Sequence, residues 1–498
     1  MAAVTISGML AAEAAALADG WTEERLLDLA GERLGQALGR FFPHPGTVVG
    51  YLGKGHNAGD TLVALRVLRD SFGWQIATRN AFPIENCAPL TWRKWRQLGH
   101  PTALEQAPSW RDLPAPLLLL DGLLGSGASG ALRPPLLALA AEMAWLRQHA
   151  GARIAAVDLP SGIDADSGAS SPGSVTADIT FMIGNAKLGL LAGHAANATG
   201  ALALVPVEPL TTRGTSEIEL IAPQTLDFAK SRRPFDFHKG MAGRVAILAG
   251  SDRYPGAAVL AAIGALRGGA GLITLHVPTP AAALIAAKCP PEIIVRAYAS
   301  PMEWLQLHAD ALVIGCGLGE MNATATTCLM ACIAEARCQV VIDADALNLI
   351  ARTERIGMLT QQHVITPHPG EFQRLAPDLA GLPREIAART FAERCPATLL
   401  LKGCRTLVTR NGQPLWCNPT GHPGMATGGQ GDLLAGVIGA RLAHGDTPTE
   451  AAALAAWLCG RSAEIALTRP GISEESLTPS DVAHHLGSAF LDWQRARR

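Results

Sequence analysis

The chain has 498 residues, 48% hydrophobic and 17% charged, with 41 Lys and Arg against 43 Asp and Glu for a formal net charge of −2. At roughly 100–200 residues per domain this length predicts two large domains, and the apolar content excludes a disordered chain. The near-neutral balance argues against general nucleic-acid binding, and the lack of an apolar run of roughly 18 residues argues against a membrane span.

The N-terminus has no early Lys or Arg, and Glu13 and Asp19 interrupt its apolar run, so it does not read as a secretory signal. The ten cysteines contain no CxxC pair. That pattern argues against a zinc site or a disulfide framework and predicts a reducing cytoplasm. Cys328 and Cys332 are expected to pack on one helix face.

In chain order, residues 48–53, 116–125, 153–160 and 178–184 predict buried strands, and 58–72 and 134–148 predict helices. The turn-rich segment 206–214 and the charged run Lys230-Ser231-Arg232-Arg233 mark a junction, which we place at residue 222. Strands follow at 244–250, 272–278, 311–317, 339–345, 363–368 and 398–403, then a long helical region from Gly431 to the C-terminus. Buried strands alternating with helices predict an α/β fold of two domains, 1–221 and 222–498, each a parallel sheet covered on both faces. Ligands of such sheets bind at the carboxyl ends of the strands. Nearly every glycine-rich or acidic cluster of this chain sits at such an end.

The first cluster is GKGHNAGDT (53–61), where Gly53, Gly55 and Gly59 allow a tight turn into a helix that presents N–H groups to an anion. Two more strand ends carry DGLLGSG (121–127) and DLPSGID (158–164), and a fourth offers Lys187. If these ends share one crevice, Asp60, Asp121 and Asp158 supply acids for a cation and for proton transfer. The set resembles the YjeF N-terminal, NAD(P)H-hydrate epimerase family over roughly residues 5–210, through GKGHNAGDT, DGLLGSG, VDLPSGIDADSG, TFMIGNAKLGL and, less closely, LLDLAG. That resemblance implies a Rossmann-like three-layer domain. It implies a potassium ion held by Asn57, Asp121 and Ser161, and Asp158 as the acid/base at the nicotinamide. Dinucleotide contacts would come from His56, Asn57, Ala58, Gly59 and Asp60, and from Gly125, Ser126, Gly127, Ala128, Ser129, Gly130 and Ala131. His56, Ala58 and Thr61 depart from the family pattern of Asn, Gly and Gly. If position 58 needs a positive φ, its alanine costs about 1 kcal/mol or more.

The second cluster is NPTGHPGMATGGQGD (418–432), whose glycines precede an amphipathic helix. Backbone N–H groups of Gly429, Gln430 and Gly431 there favour negative charge on a transferring phosphoryl group. TPHPGEF (366–372), DADALN (343–348), GCGLG (315–319), LKGCRT (401–406) and the Tyr254–Ala258 turn lie at neighbouring strand ends and predict a shared nucleotide site. This half resembles the ribokinase-like superfamily through GGQGD. More closely it resembles the ADP/ATP-dependent NAD(P)H-hydrate dehydratase family over about 225–495, with Cys316 and His422 as departures. By that resemblance Ala258, Gly317, His368 and Asp432 contact the hydrated dinucleotide. Lys402, Gly403, Cys404, Arg405, Thr406 and Gly431 contact ADP or ATP with Mg²⁺.

The pairing of both halves resembles the bacterial bifunctional NAD(P)H-hydrate repair enzymes. It implies a cytoplasmic homo-oligomer, both isomerase and lyase, that acts on NADHX and NADPHX without nucleic acid or membrane. One domain would interconvert the R and S hydrates. The other would phosphorylate the C6 hydroxyl of the S form, with Asp432 as general base, so that phosphate leaves as the ring nitrogen donates electrons. Two alternatives stand beside it: a ribokinase-like kinase of a small alcohol, and a nucleotide-sensing scaffold with an inactive N-terminal domain.

Overall fold

The computed structural model describes residues 2–105, 113–128, 130–211, 217–226 and 233–496. Ser129, and Lys230, Ser231 and Arg232 of the charged run, lie outside the described residues. The chain divides into two compact units, Met1–Ile218 and Glu219–Arg498.

The main sheet of the first unit has six strands: β1 (Thr47–Leu52), β2 (Gln75–Asn80), β3 (Leu117–Gly122), β4 (Arg153–Val157), β5 (Ile179–Ile183) and β6 (Ala201–Val205), beside a short pair formed by Ala3–Val4 and Ala186–Lys187. The six are parallel, in the order β2-β1-β3-β4-β5-β6. Its main helices are α1 (Ile6–Ala18), α2 (Glu23–Phe41), α3 (His56–Phe72), α4 (Pro89–Gln97) and α5 (Leu136–Ala150). Alternate residues of the strands feed two cores. Val48, Leu52, Leu118, Leu120 and Val157 pack with Leu34, Leu38, Leu62 and Leu65 of α2 and α3. Val49, Tyr51, Leu119 and Ile154 pack with Leu139, Met143 and Leu146 of α5. Both faces are therefore buried, as a parallel sheet requires.

Helix α2 starts at Thr22, whose side chain accepts from the Arg25 N–H at 3.2 Å, with Glu23 and Glu24 in the first turn. Its Gly31, Gly35 and Gly39 recur every fourth residue. A Cβ there would come within 2.5 to 2.6 Å of Val63, Val67 and Phe72, so only glycine lets α2 lie this close to α3.

The second unit contains β7 (Ile218–Leu220), β8 (Arg244–Leu248), β9 (Leu272–Pro278), β10 (Ile294–Tyr298), β11 (Ala311–Ile314), β12 (Gln339–Ile342), β13 (His363–Ile365), β14 (Thr398–Leu401), β15 (Leu407–Thr409) and β16 (Leu415–Cys417). The sheet runs β10-β9-β8-β11-β12-β13-β14-β15-β16-β7, parallel from β10 to β14 and antiparallel from β14 through β16. Helices bearing on its site are α6 (Pro255–Arg267), α7 (Ala323–Ala334), α8 (Ala344–Arg352), α9 (Pro369–Leu375), α10 (Gln430–Ala443), α11 (Pro448–Ala466) and α12 (Pro479–Ala496). Val245, Ile247, Val313 and Val341 share a core with α6, α10, α11 and α12. The alternating Ala246, Leu248, Leu312 and Ile342 are equally buried.

Cys328 and Cys332 are both buried on α7, as their spacing predicts. The long C-terminal helical region is three helices, because Gly445 (φ +97°) and Gly471 (φ +86°) sit in the turns between them. Among the described residues no helix is long and apolar enough to cross a membrane.

Candidate functional site

In the first unit the carboxyl ends of β1, β3, β4 and β5 open on a cleft of about 510 Å³. Gly55 caps α3, and His56, Asn57 and Asp60 of its first turn line the cleft beside Gly125, Ser126, Gly127 and Ala128. Gly130 and Ala131 are exposed beyond that lining. Ala58 is fully buried within the helix and is not among the residues with positive φ, so the strain expected at this position does not arise. Thr61 donates to the Asn57 carbonyl at 2.8 Å. Its hydroxyl fits because residue 122 is glycine, whose Cβ would lie 2.2 Å from it.

Asp158 ends β4 with φ +69°, a left-handed conformation that Asp tolerates better than most residues. Its Oδ1 accepts from the Ile183 N–H at 3.0 Å and from the ammonium of Lys187. Lys187 is fully buried and also donates to the Ile183 carbonyl at 2.8 Å. Asp60 is half-buried. Burial, then the charges of Asp158 and Glu13, hold its carboxyl well above the usual carboxylate range. Glu13 of α1 lines the same cleft, and burial and the Asp158 charge raise its carboxyl too.

The expected potassium ligands are linked by hydrogen bonds through Leu124. Asp121 is fully buried and accepts from the Ser161 hydroxyl at 2.7 Å, the Ser161 N–H at 2.7 Å and the Leu123 N–H at 3.3 Å. Ser161 Oγ in turn accepts from the Leu124 N–H at 2.9 Å, and the Asn57 amide donates to the Leu124 carbonyl at 2.8 Å. Burial pushes the Asp121 carboxyl up to about 6, with those hydrogen bonds opposing it. Among the described residues it has no ion-pair partner. A buried carboxylate lacking a counter-ion, beside an amide and a hydroxyl oxygen, is a donor set suited to a hard monovalent cation.

In the second unit the start of α10 meets the ends of neighbouring strands. Gly429 caps α10 at φ +94°, and a Cβ there would strike Leu260 at 2.4 Å. Asp432 lies in the first turn, half-buried, and burial and the nearby Asp343 charge push its carboxyl up to about 6. The thiol of Cys316, fully buried, is hydrogen-bonded to Asp432 and lowers it in part. Lys402 Nζ is 2.7 Å from Asp343 Oδ1 and 3.8 Å from Glu371. A Cβ on Gly431 would lie 3.2 Å from that ammonium and 3.6 Å from Asp343 Oδ2, so the helix start and the ion pair face each other.

His368 and Glu371 form a capping box at the start of α9, which leaves the His368 ring about half exposed. Gly317 sits at φ +64°, where a Cβ would meet Ala257 at 2.7 Å and Tyr254 at 2.8 Å. Ala258 is fully buried in α6 beside it. Ala258, Gly317, His368 and Asp432 thus lie on elements at neighbouring strand ends. In the hairpin after β14, Lys402 and Thr406 are half-buried, and Gly403 and Cys404 are exposed. Arg405 is turned inward, 7% exposed, with its guanidinium toward the Pro419 carbonyl at 3.4 Å.

Two groups escaped the sequence reading. Glu13 appears there only as an interruption of an apolar run. Its signal is its place in the stripe Ile6, Met9, Leu10, Glu13, Leu17, all on the cleft wall at helical spacing. The amide of Gln430 is buried at the α10 start with neither atom hydrogen-bonded, and a motif reading credits only its backbone.

The family model for NAD(P)H-hydrate dehydratase matches residues 245–486, and that for the YjeF-related protein N-terminus matches 23–189. Among curated proteins, the bifunctional NAD(P)H-hydrate repair enzyme of Gloeobacter violaceus is 35% identical over 89% of this chain and 89% of its own. The chain belongs to the family of bifunctional NAD(P)H-hydrate repair enzymes. The relative of the same name from Hyperthermus butylicus is 32% identical over 94% of this chain and 88% of its own. A ribokinase-like superfamily protein from Enterococcus faecalis superposes with a TM-score of 0.50 at 27% identity, covering 57% of this chain and 98% of its own. Membership in the repair family, matched over both units, favours that reading over the small-alcohol kinase and the scaffold.

Proposed function

We propose that the first unit epimerises R and S NAD(P)H hydrates and that the second dehydrates the S form with ADP or ATP. The observation that carries this is Asp432, held with its carboxyl near neutrality in the first turn of a helix whose glycine start faces the Lys402–Asp343 pair. A base poised near the working pH suits removal of a proton from a hydroxyl. As that proton passes to Asp432, the hydroxyl oxygen attacks the terminal phosphoryl group. The N–H groups of the α10 start and Lys402 stabilise the charge on it. His368, Ala258 and Gly317 hold the dinucleotide, and Lys402 through Thr406 with Gly431 hold the adenine nucleotide. AMP or ADP leaves as the C6 phosphate forms; that phosphate then departs with the C6–O electron pair as the ring-nitrogen lone pair forms the C6–N double bond, and loss of a C5 proton restores the dihydronicotinamide.

Mg²⁺ would neutralise charge on the phosphates, and Asp343 would hold it. In the first unit Asp158 acts as the acid/base at the nicotinamide, and Asn57, Asp121 and Ser161 would hold K⁺. The reading includes a reducing cytoplasm, on the absence of a CxxC pair from the ten cysteines, and self-association by family resemblance.

The test is a mixture of R and S NADHX with Mg²⁺, K⁺ and ADP or ATP, followed by NADH absorbance. Recovery of essentially all the NADH, faster than spontaneous epimerisation, is expected. A fast phase that stops at the S fraction removes the epimerase half. No recovery with either nucleotide overturns the whole reading.

A further inference from the structure

We propose that Glu13, on helix α1, is a second acid/base residue of the epimerase cleft and works with Asp158. This rests on the assignment of that cleft to epimerisation. Inversion at a carbon bearing a hydroxyl, by loss and return of water, needs a proton delivered on one face and a proton taken on the other. One carboxyl group on one wall serves one face. Helix α1 forms part of the wall of the cleft, and the acid it brings is Glu13, with Glu23 of the α2 start also in the lining.

Helix α1 contributes Ile6, Met9, Leu10 and Leu17 to the lining, and Glu13 is the one titratable group it places there. The helix is fixed at its start. Ala3–Val4 pairs in parallel with Ala186–Lys187, so the strand leading into α1 is bonded to the residue whose ammonium holds Asp158. The Ile6 N–H also donates to Asp166 at 2.7 Å. Glu13 is half-buried, and among the described residues no side-chain hydrogen bond occupies its carboxyl. Burial and then the charge of Asp158 favour its protonated form, with Lys187, His56 and Glu23 acting more weakly. Asp60 also lines the cleft, but from the α3 start beside the dinucleotide loop.

The step balances. Glu13 gives its proton to the C6 hydroxyl, the C6–O bond breaks with its electron pair on oxygen, and water leaves. The ring-nitrogen lone pair forms the C6–N double bond. A second water adds to C6 from the other face, the double-bond pair returns to nitrogen, and Asp158 takes the proton lost by that water. One water has replaced another, and one proton has moved from Glu13 to Asp158. The reverse passage starts from protonated Asp158, and proton exchange with solvent resets either form.

The experiment uses the full chain with R-NADHX, K⁺, Mg²⁺ and ADP or ATP, so that each epimerisation is read as NADH. Glu13→Gln is expected to lower kcat for the R form by about 100-fold or more with KM changed only a few-fold. Its rate on the S form stays unchanged, and Glu13→Asp regains part of the loss. A Glu13→Gln rate within about threefold of the unaltered chain overturns the proposal. So does an equal loss in Glu13→Gln and Glu13→Asp, which marks a packing role, and so does loss on Asp60→Asn with none on Glu13→Gln. If the unaltered chain repairs the S form but never the R form, the assignment of the cleft itself falls, and this inference with it.

Discussion

In the first unit Asp158 is bonded to a buried lysine, whereas in the second Asp432 has no bonded cation among the described residues, and Lys402 is engaged by Asp343. The two carboxyl groups stand at comparable places, near the carboxyl ends of parallel strands, and differ in their neighbours. A salt-bridged carboxylate is fixed in orientation. A partly buried one beside other acids is lifted toward neutrality and becomes a base of useful strength. The same α/β frame thus supports two kinds of proton chemistry through the placement of one lysine.

The sharpest way to break this comparison is Asp432→Asn. Dehydration of the S form is expected to fall by about 10²–10⁴-fold, with adenine nucleotide still bound by calorimetry and epimerisation intact. Next is Lys187→Met, which leaves Asp158 without its partner in a nearly closed site. It is expected to cost the first unit about 3–5 kcal/mol, read from its urea transition, while the second unit's transition stays in place.

The two sites should also part in their pH dependence. The Asp432 carboxyl, raised to about 6, is protonated and inactive as a base below that pH and ionised above it. On the S form, kcat/KM should therefore rise about tenfold per pH unit up to near 6 and level off beyond. A flat profile between pH 5 and about 7 would contradict the role of Asp432. The smallest effect concerns Ala58. Because it is helical and buried, Ala58→Gly should not improve the epimerase and should cost about 0.5–1 kcal/mol in thermal unfolding.

Much of this was legible in the chain. The run 272–278 is a strand with those bounds, but only Ile273, Leu275 and Val277 are fully buried, because β9 lies next to the sheet edge. The expected strands at 311–317 and 339–345 stop at Ile314 and Ile342, where Gly315 takes φ +125° and Asp343 turns into α8. Apolar runs mark where strands lie, and the glycines and acids that close them belong to the site. Strands 75–80 and 201–205 were not visible in the pattern. They are the two edges of the first sheet, with mixed exposure and short alternating runs.

The sequence by itself determined the two α/β halves, the strand-end clusters and the family, because periodicity and glycine-rich turns are local and are written in consecutive residues. Only the tertiary structure decided that Lys187 serves Asp158, that Lys402 serves Asp343 and leaves Asp432 poised, that Ala58 is unstrained, and that Glu13 reaches the cleft. Charge pairing and burial depend on which distant segments meet, and no window of consecutive residues contains both partners.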